Sequence, residues 1–535
     1  MAVFAFAAIG HADELSDIQV KQLRDQNQVL MKRLADLEKR QQKLEKQPAV
    51  QTEARASVPR INPTDAMAAD LPYKAAVKAP AAVDDSLCWH GVCLYGNIDM
   101  GLTYQNHGSP MNTFESPNYL VEKASNGSYF GAADNAFSAS FIGLKGKQEV
   151  ADNLYAVFNL QTIFNPASGM NFNGPGGIAQ NNGLGAAPFL QNANAYGDSS
   201  KGGQMFNNAA YFGVSSPTYG TFTMGRQSAL SSDLIVNYDP LSGAGAFSAI
   251  TFEGASGGGG YTEDRIWDNS YEYRLNVGPV RLAVEAQLRN GGNSSTGNAF
   301  QGNIGFDYMG LSMDFVGGKI YDAIGVSTTL SAAQVAAVPA ASCSLGCMSA
   351  TVSDNTVFQL AARYTIGPWK LFGGYENIRY ANPDNPLVAG AFAEGGYNLA
   401  FTNNGFYVTD KILQVFWVGA RYAITRDLDV TGAYYGYRQN NFVTNVPGAG
   451  ANLGANCNTS ISPGCSGDMD QFSIAFDWRF ARHVDLYAGV SYIQKTGGLV
   501  NGYNLTATNE NVAATYNTFN KASSYDPTIG LRYQF

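Results

Sequence analysis

Three groups of residues in this chain carry chemistry. The first is a set of charges threaded through an otherwise oily hairpin. Over 271–288, Tyr271, Tyr273, Leu275, Leu282, Val284 and Leu288 oppose Glu272, Arg274, Arg281, Glu285 and Gln287. A period of two puts alternate side chains on opposite faces of a strand, so both signs of charge share one surface. Arg363, in a later strand-like segment, projects the same way by its alternation. Such a surface suits the sorting of ions and dipolar solutes. The second group is six cysteines in three short-range couples, Cys88/Cys93, Cys343/Cys347 and Cys457/Cys465. Loop-local disulfides in an oxidising compartment are their simplest reading. The third is four histidines, His11, His90, His107 and His483, which show no ligand spacing. A metal site needs converging Cys or His, so disulfides are expected, with no metal and no cofactor. Isolated histidines offer no base for a nucleophile either, and no enzyme is expected.

Composition narrows the class. Of 535 residues only 14% are charged, while Gly (59), Tyr (30) and Phe (30) are abundant. Mean hydropathy is slightly negative. No run of apolar residues reaches the length of a membrane helix. Many short strands joined by polar loops fit this balance. The net charge of −9 argues against a nucleic-acid partner.

The elements that must position these groups fall into blocks. Residues 1–12 read as a secretory signal, with 2–9 as its apolar centre, Gly10-His11-Ala12 as a small-x-small cleavage site and no basic n-region. Over 16–47 the period becomes helical: Val20, Asn27, Leu34 and Gln41 fall at a positions, Leu23, Leu30, Leu37 and Leu44 at d. That is the seam of a coiled coil, and the polar a residues help set its register. Pro48 ends it. Residues 48–85, rich in Pro and Ala, form an extended spacer. Residues 1–85 balance 12 basic against 12 acidic side chains, so the whole net charge belongs to residues 86–535.

From Cys88 onward some sixteen strand-like segments are spaced as hairpins, at 93–104, 138–147/153–163, 208–215/219–226, 270–276/280–289, 302–309/311–319, 356–366/369–379, 412–422/428–438, 471–480/484–493 and 526–535. In the 471–480 segment Phe472, Ile474, Phe476, Trp478 and Phe480 share one face; Gln471, Ser473, Asp477 and Arg479 lie on the other. The closing strand sets Ile529, Leu531, Tyr533 and Phe535 against Thr528, Arg532 and Gln534. The 412–422 segment is apolar on both faces, which would suit contact with another subunit. Tight turns such as Asn276-Val277-Gly278-Pro279 alternate with long Gly/Asn/Ser-rich connections at 164–207, 227–265, 320–355 and 439–470. Short turns at one end and long loops at the other, with oil outside and charge inside, describe a membrane barrel. Closure also removes the exposed edges that so many strands would leave. The expectation is an all-β protein, a sixteen-stranded antiparallel transmembrane β-barrel over 88–535 with an N-terminal α-helical coiled coil.

The barrel resembles the general porins of Gram-negative outer membranes. The resemblance rests on Leu94-Tyr95-Gly96-Asn97-Ile98-Asp99, Ile142-Gly143-Leu144-Lys145-Gly146, Ala210-Tyr211-Phe212-Gly213-Val214, Gly220-Thr221-Phe222-Thr223-Met224-Gly225-Arg226-Gln227, Asp268-Asn269-Ser270 and the ending Gly530-Leu531-Arg532-Tyr533-Gln534-Phe535. It implies a homotrimer in the outer membrane, among lipid and lipopolysaccharide, with a water-filled pore in each subunit for small hydrophilic solutes. It makes Phe535, Tyr533 and Leu531 the signal read by the barrel-assembly machinery. Some substrate-selective porins, of the phosphate and dicarboxylate types, also carry an N-terminal coil. Here that coil would lie in the periplasm, with peptidoglycan as a candidate partner and a tethering role as an alternative to transport.

The resemblance also locates a filter. The third long loop, 227–265, would fold into the lumen and set acids against arginines on the wall. The acids would come from Asp233, Asp239, Glu253, Glu263 and Asp264. Arg226 corresponds by motif to one wall arginine; Arg274, Arg281 and Arg363 would join it. Phe141 stands where many relatives carry Arg, so the positive side is rearranged. Opposed charges across a narrow throat orient dipolar solutes, because screening there is incomplete. On this reading Arg226→Ala shifts selectivity towards cations. Overall acidity favours mild cation preference, with the throat deciding.

Overall fold

The computed structural model of the protein describes Lys32 and residues 87–106, 128–167, 169, 171, 205–252, 266–288, 297–326, 347–385, 392–394, 397–404, 407–444, 465–500 and 521–535. The expected signal segment, coil and spacer lie outside these residues, apart from Lys32, which is helical. So do Glu253, Glu263, Asp264, Cys343, Cys457 and the side chain of Cys347.

Alternating sequence produces alternating strands. The wall runs β1 (Val92–Gln105), β2 (Phe141–Ala151), β3 (Leu154–Ile163), β4 (Ala209–Ser216), β5 (Gly220–Ser228), β6 (Ile266–Val277), β7 (Val280–Gln287) and β8 (Ala299–Tyr308). It continues through β9 (Leu311–Val326), β10 (Cys347–Ile366), β11 (Trp369–Ala381), β12 (Lys411–Ala423), β13 (Leu428–Gln439), β14 (Gly467–Ala481), β15 (Val484–Thr496) and β16 (Lys521–Gln534). Each strand pairs antiparallel with the next, and β16 returns to β1 in the register Asn97↔Gln534 to Thr103↔Thr528. The last residue seals the seam: Gly96 N donates to Phe535 O at 2.9 Å and Phe535 N to Gly96 O at 3.0 Å. All sixteen segments expected from the sequence are present, and they form a closed cylinder.

The residue distribution is inverted relative to a protein dissolved in water. Ile98, Met100, Leu102, Phe472, Ile474, Phe476, Trp478, Ile529, Leu531 and Tyr533 point outward and are exposed. Asn97, Asp99, Thr103, Gln471, Ser473, Asp477, Thr528 and Arg532, on the alternate positions, are buried inside. A continuous apolar surface of this extent is stable against lipid and not against water. Outward aromatics cluster near the short turns, where Trp369 and Tyr422 lie 4.6 Å apart and Trp478 and Phe480 5.4 Å apart. That is the belt expected at a membrane–water boundary. Two of the tight turns place Gly278 and Gly367 at φ 58° and 55°, each just before a proline. Glycine takes that left-handed backbone without the Cβ clash other residues meet.

Three local findings refine the sequence reading. The second strand begins at Phe141, later than the expected 138. Its upper continuation, Tyr129–Asp134, pairs with Met100–Gln105, and residues 135–140 bulge inward between the two pieces. Asp99 causes the bulge: its carboxylate accepts from Phe137 N (3.1 Å), Ser138 N (2.6 Å) and the Tyr487 hydroxyl. Second, β12 is apolar on both faces because its inner residues Leu413, Val415 and Trp417 are covered by a loop inside the barrel, and no second subunit is needed to explain them. Third, Cys88 and Cys93 form the expected disulfide, tying the short strand Leu87–Trp89 to the start of β1, and Cys465 is also disulfide-bonded.

Closure through Gly96 makes a direct prediction. A Cβ there would overlap the Phe535 ring and the Phe141 carbonyl oxygen. Gly96→Val is expected to destabilise the barrel by about 1–3 kcal/mol through overpacking. The shift would be read as a lower midpoint for loss of the compact, heat-modifiable band on gels. An unchanged midpoint would show that the seam tolerates bulk.

Candidate constriction site

The connection from β5 to β6 turns into the barrel. Its first element is α1, Leu230–Tyr238, whose cap residue Ala229 has no side-chain donor or acceptor to offer. The wall supplies the missing partners. Leu230 N donates to Glu285 Oε2 on β7 at 3.1 Å, and Ser231 N to Gln301 Oε1 on β8 at 2.8 Å. A carboxylate at a helix N-terminus satisfies orphan amides and opposes the positive end of the dipole. Leu230, Leu234, Ile235 and Tyr238 are buried in a cluster with wall residues Val316, Val357, Ala361 and Trp417. At the other end Arg363 on β10 donates to Asn237 O (3.2 Å) and Arg421 on β12 to Pro240 O (2.7 Å). Cations at a helix C-terminus are the matching arrangement.

Past the helix the chain is tied down at every step. Asp239 accepts from Leu241 N (3.1 Å), Gly243 N (2.6 Å) and the Tyr435 hydroxyl (2.6 Å). Burial raises its carboxyl above the usual range, and these bonds oppose that rise. At the tip Ala246 N reaches Ala136 O of the inward bulge at 2.8 Å. Phe137 of the same bulge stacks on Tyr487 with centroids 4.8 Å apart and meets Phe247 edge-on at 6.2 Å. The loop therefore narrows the lumen by lying along the wall from β7 to the β1–β2 bulge.

The expected site residues divide into three sets. Arg274, Arg281 and Arg363 do face inward and meet the loop, but by contact and not across a gap. Arg274 pairs directly with Asp233 of α1 and donates Nε to Glu272 at 2.6 Å. Arg281 pairs with Asp307 and with Asp314 (3.0 Å), and donates to the Tyr238 hydroxyl at 3.0 Å. Burial beside Asp314 pushes that phenol well up, so it stays protonated. Asp239 serves as the cap just described and is fully buried. Arg226 is neither in the throat nor against the loop. It is 6% exposed, donates Nη1 to Asp268 at 2.6 Å and clamps the Asn207 carbonyl with Nε at 2.8 Å. Opposite it β6 carries an extra residue, Asn269, at φ 49°. Ser270 receives a hydrogen bond from Gln227 at 2.8 Å. The Gly-Arg-Gln and Asp-Asn-Ser motifs are thus the two halves of a bulge clamp.

Other charged groups are less legible in the sequence. Arg421, Arg479 and Arg532 face inward on β12, β14 and β16, interleaved with Asp429, Asp477 and Asp485. Arg532, 1% exposed, bonds Asp485 at 2.8 Å and lies 4.9 Å from the Phe137 ring centre. Arg479 bonds Asp429 at 3.0 Å. With Phe137 and Leu241, residues Arg421, Asp429, Asp477 and Arg532 line a recess at the loop tip. Alternation alone places Arg479 and Arg532 inside; Arg421 is hidden by the two-sided apolarity of β12. Phe141 packs against Tyr95 and Ile163, so an apolar contact occupies its place on the wall.

These positions lead to two expected outcomes. Arg226→Ala should lower stability by about 1–3 kcal/mol, because it removes the half-buried pair with Asp268 and the clamp on the Asn207 carbonyl. It should leave the zero-current potential in a salt gradient unchanged; a selectivity shift with unchanged stability would restore the throat role. For Asp233, burial raises the carboxyl to about 6, with Arg274 opposing and Glu272 adding to the rise. As pH falls through 6 the acid gains a proton and the Arg274 charge is less compensated. Lowering the pH from 7 to 5 should therefore move selectivity towards anions. Asp233→Asn should show the low-pH selectivity at pH 7 and lose most of the pH dependence.

Comparison with known proteins agrees with this architecture. The profile of the Gram-negative porin family matches residues 66–498. An outer membrane porin protein of Bordetella pertussis is 27% identical over 154 residues, 29% of this chain and 32% of that protein, so the matched stretch spans about a third of the relative's length. An anion-selective porin from Comamonas acidovorans superposes with a TM-score of 0.51 at 16% identity, covering 83% of this chain and 99% of the other. OmpT of Vibrio cholerae gives 0.48 at 14% identity, over 84% and 100% of the two chains. A closed sixteen-stranded wall, an inward third loop and a family match over most of the length together establish that the chain belongs to the Gram-negative porin family.

Proposed function

We propose that the protein is a passive diffusion channel of the bacterial outer membrane for small hydrophilic solutes and ions, sorted by charge where the inward loop narrows the lumen. The observation that carries the reading is the docking of α1 on the inner wall, through Glu285 at its start, Arg274 on Asp233 midway and Arg363 at its end. A loop that only covered the barrel mouth would have no use for wall charges placed turn by turn along a helix. The protein works without catalysis, as its isolated histidines suggest. It assembles as a homotrimer, with 16–47 as a periplasmic coiled coil; the four-heptad stripe and the family's habit support this.

Purified protein in a planar bilayer should give stepwise, ohmic conductance. Removing residues 230–250 of the inward loop should raise the size of each step. A folded barrel that seals the bilayer would refute the channel.

A further inference from the structure

One cluster of inward charges has no part in the ion pairs above. Arg363, Lys370 and Arg421 sit on the adjacent strands β10, β11 and β12, near the short-turn end of the barrel. Burial alternates along each strand so that all three share the inner face with Ala361, Phe372 and Trp417. Lys370 is directly opposite Arg421 in the β11–β12 register. Arg363 is opposite Phe372, and so diagonal to Lys370. Like charges placed directly across a strand pair destabilise a sheet, and opposite charges stabilise it. Four other inward arginines are compensated: Arg274, Arg281, Arg479 and Arg532 each have a carboxylate partner. Among the described residues, Arg363, Lys370 and Arg421 have none within ion-pair distance. The acids nearest them, Asp429 and Asp477, are both engaged by Arg479, at 3.0 and 3.4 Å.

The two guanidiniums are nevertheless held still. Arg363 donates Nη1 to Asn237 O at 3.2 Å and lies 5.8 Å from the Tyr238 ring centre. Arg421 donates Nη2 to Pro240 O (2.7 Å) and to Ser242 Oγ (3.1 Å), donates Nε to Thr431 (3.3 Å), and lies 5.8 Å from Phe372. Carbonyl dipoles at the end of α1 orient these two side chains but supply no formal negative charge to neutralise them. Docking the loop accounts for the two arginines. It does not account for Lys370, which makes no hydrogen bond to the described part of that loop.

We infer that Arg363, Lys370 and Arg421 form a binding step for small oxyanions, solutes bearing carboxylate or phosphate groups, on the short-turn side of the constriction. Two fixed guanidiniums and the Lys370 ammonium between them, each with N–H donors left over, match an anion with several acceptor oxygens better than they match chloride. The step deepens the channel reading and rests on it: an acidic chain would carry a local anion site just past its narrowest point.

The test is block of single-channel chloride current by inorganic phosphate and, separately, by succinate. In the unaltered protein each should reduce the current at concentrations well below that of the chloride. Lys370→Gln should raise the half-blocking concentration about fivefold, the loss expected for one charge-assisted contact. Lys370→Arg should restore block. Succinate block without phosphate block would assign the site to carboxylates, and the reverse to phosphates. Heat-modifiability on gels controls for folding of both variants. Equal block in the Gln variant and the unaltered protein, or no block by either anion in a conducting channel, would overturn the inference. If the protein does not conduct at all, the channel reading fails on its own, and anion binding is then read by titration calorimetry of the folded trimer or monomer, where loss of phosphate and succinate heat in the Gln variant supports the site and its persistence refutes it.

Discussion

Within a bilayer the backbone has nowhere to put an unpaired N–H or C=O. Each one left open in hydrocarbon costs several kcal/mol, so a sheet that crosses must return to its own first strand. Here β16 makes that return by pairing with β1 from Thr103 to Asn97, and the two hydrogen bonds between Phe535 and Gly96 finish the seam. Closure then dictates the rest in order. A closed cylinder has two faces in different solvents, the alternating sequence answers with oil outside and polar groups inside, and charges become possible within a membrane because they line the interior.

A cylinder this wide needs more than side chains to narrow it, and the protein uses backbone. The inward loop is held by a device unlike that of a soluble core. On one side it is dry, with α1 burying Leu234, Ile235 and Tyr238 against Val316, Val357 and Trp417. At its ends it is electrostatic, since a wall carboxylate and a wall amide meet the helix N-terminus and wall arginines the C-terminus. The apolar packing gives attraction without direction; the end charges give direction and register. Asp99 completes the arrangement from the far side by holding the bulge that receives the loop tip.

The wall was legible in the sequence because a period of two is a local signal, unaffected by what lies across the lumen. All sixteen strands could be read this way, as could the inward direction of Arg274, Arg281 and Arg363. What could not be read were features made by two distant segments at once. Residues 138–140 keep the alternation of a strand, but Asp99 takes their backbone donors and turns them inward. Phe416 and Trp417 look alike in the sequence, yet one faces out and the other is covered by α1. Arg226 was misread for a related reason. A motif reports that a residue is needed, not what for, and here the need is a buried clamp across a bulge.

Charge in this barrel is organised as pairs first and as a filter second. Arg274, Arg281, Arg479 and Arg532 each face an acid at close range, which fixes wall and loop while cancelling most of their field at a distance. A solute in the lumen therefore responds chiefly to whatever the pairing leaves over. The net charge of −9 cannot predict that remainder, because acids on loops and on the outer rim count in it equally and are screened within a Debye length. The local balance of the inner wall decides selectivity, and on β10 to β12 that balance is positive.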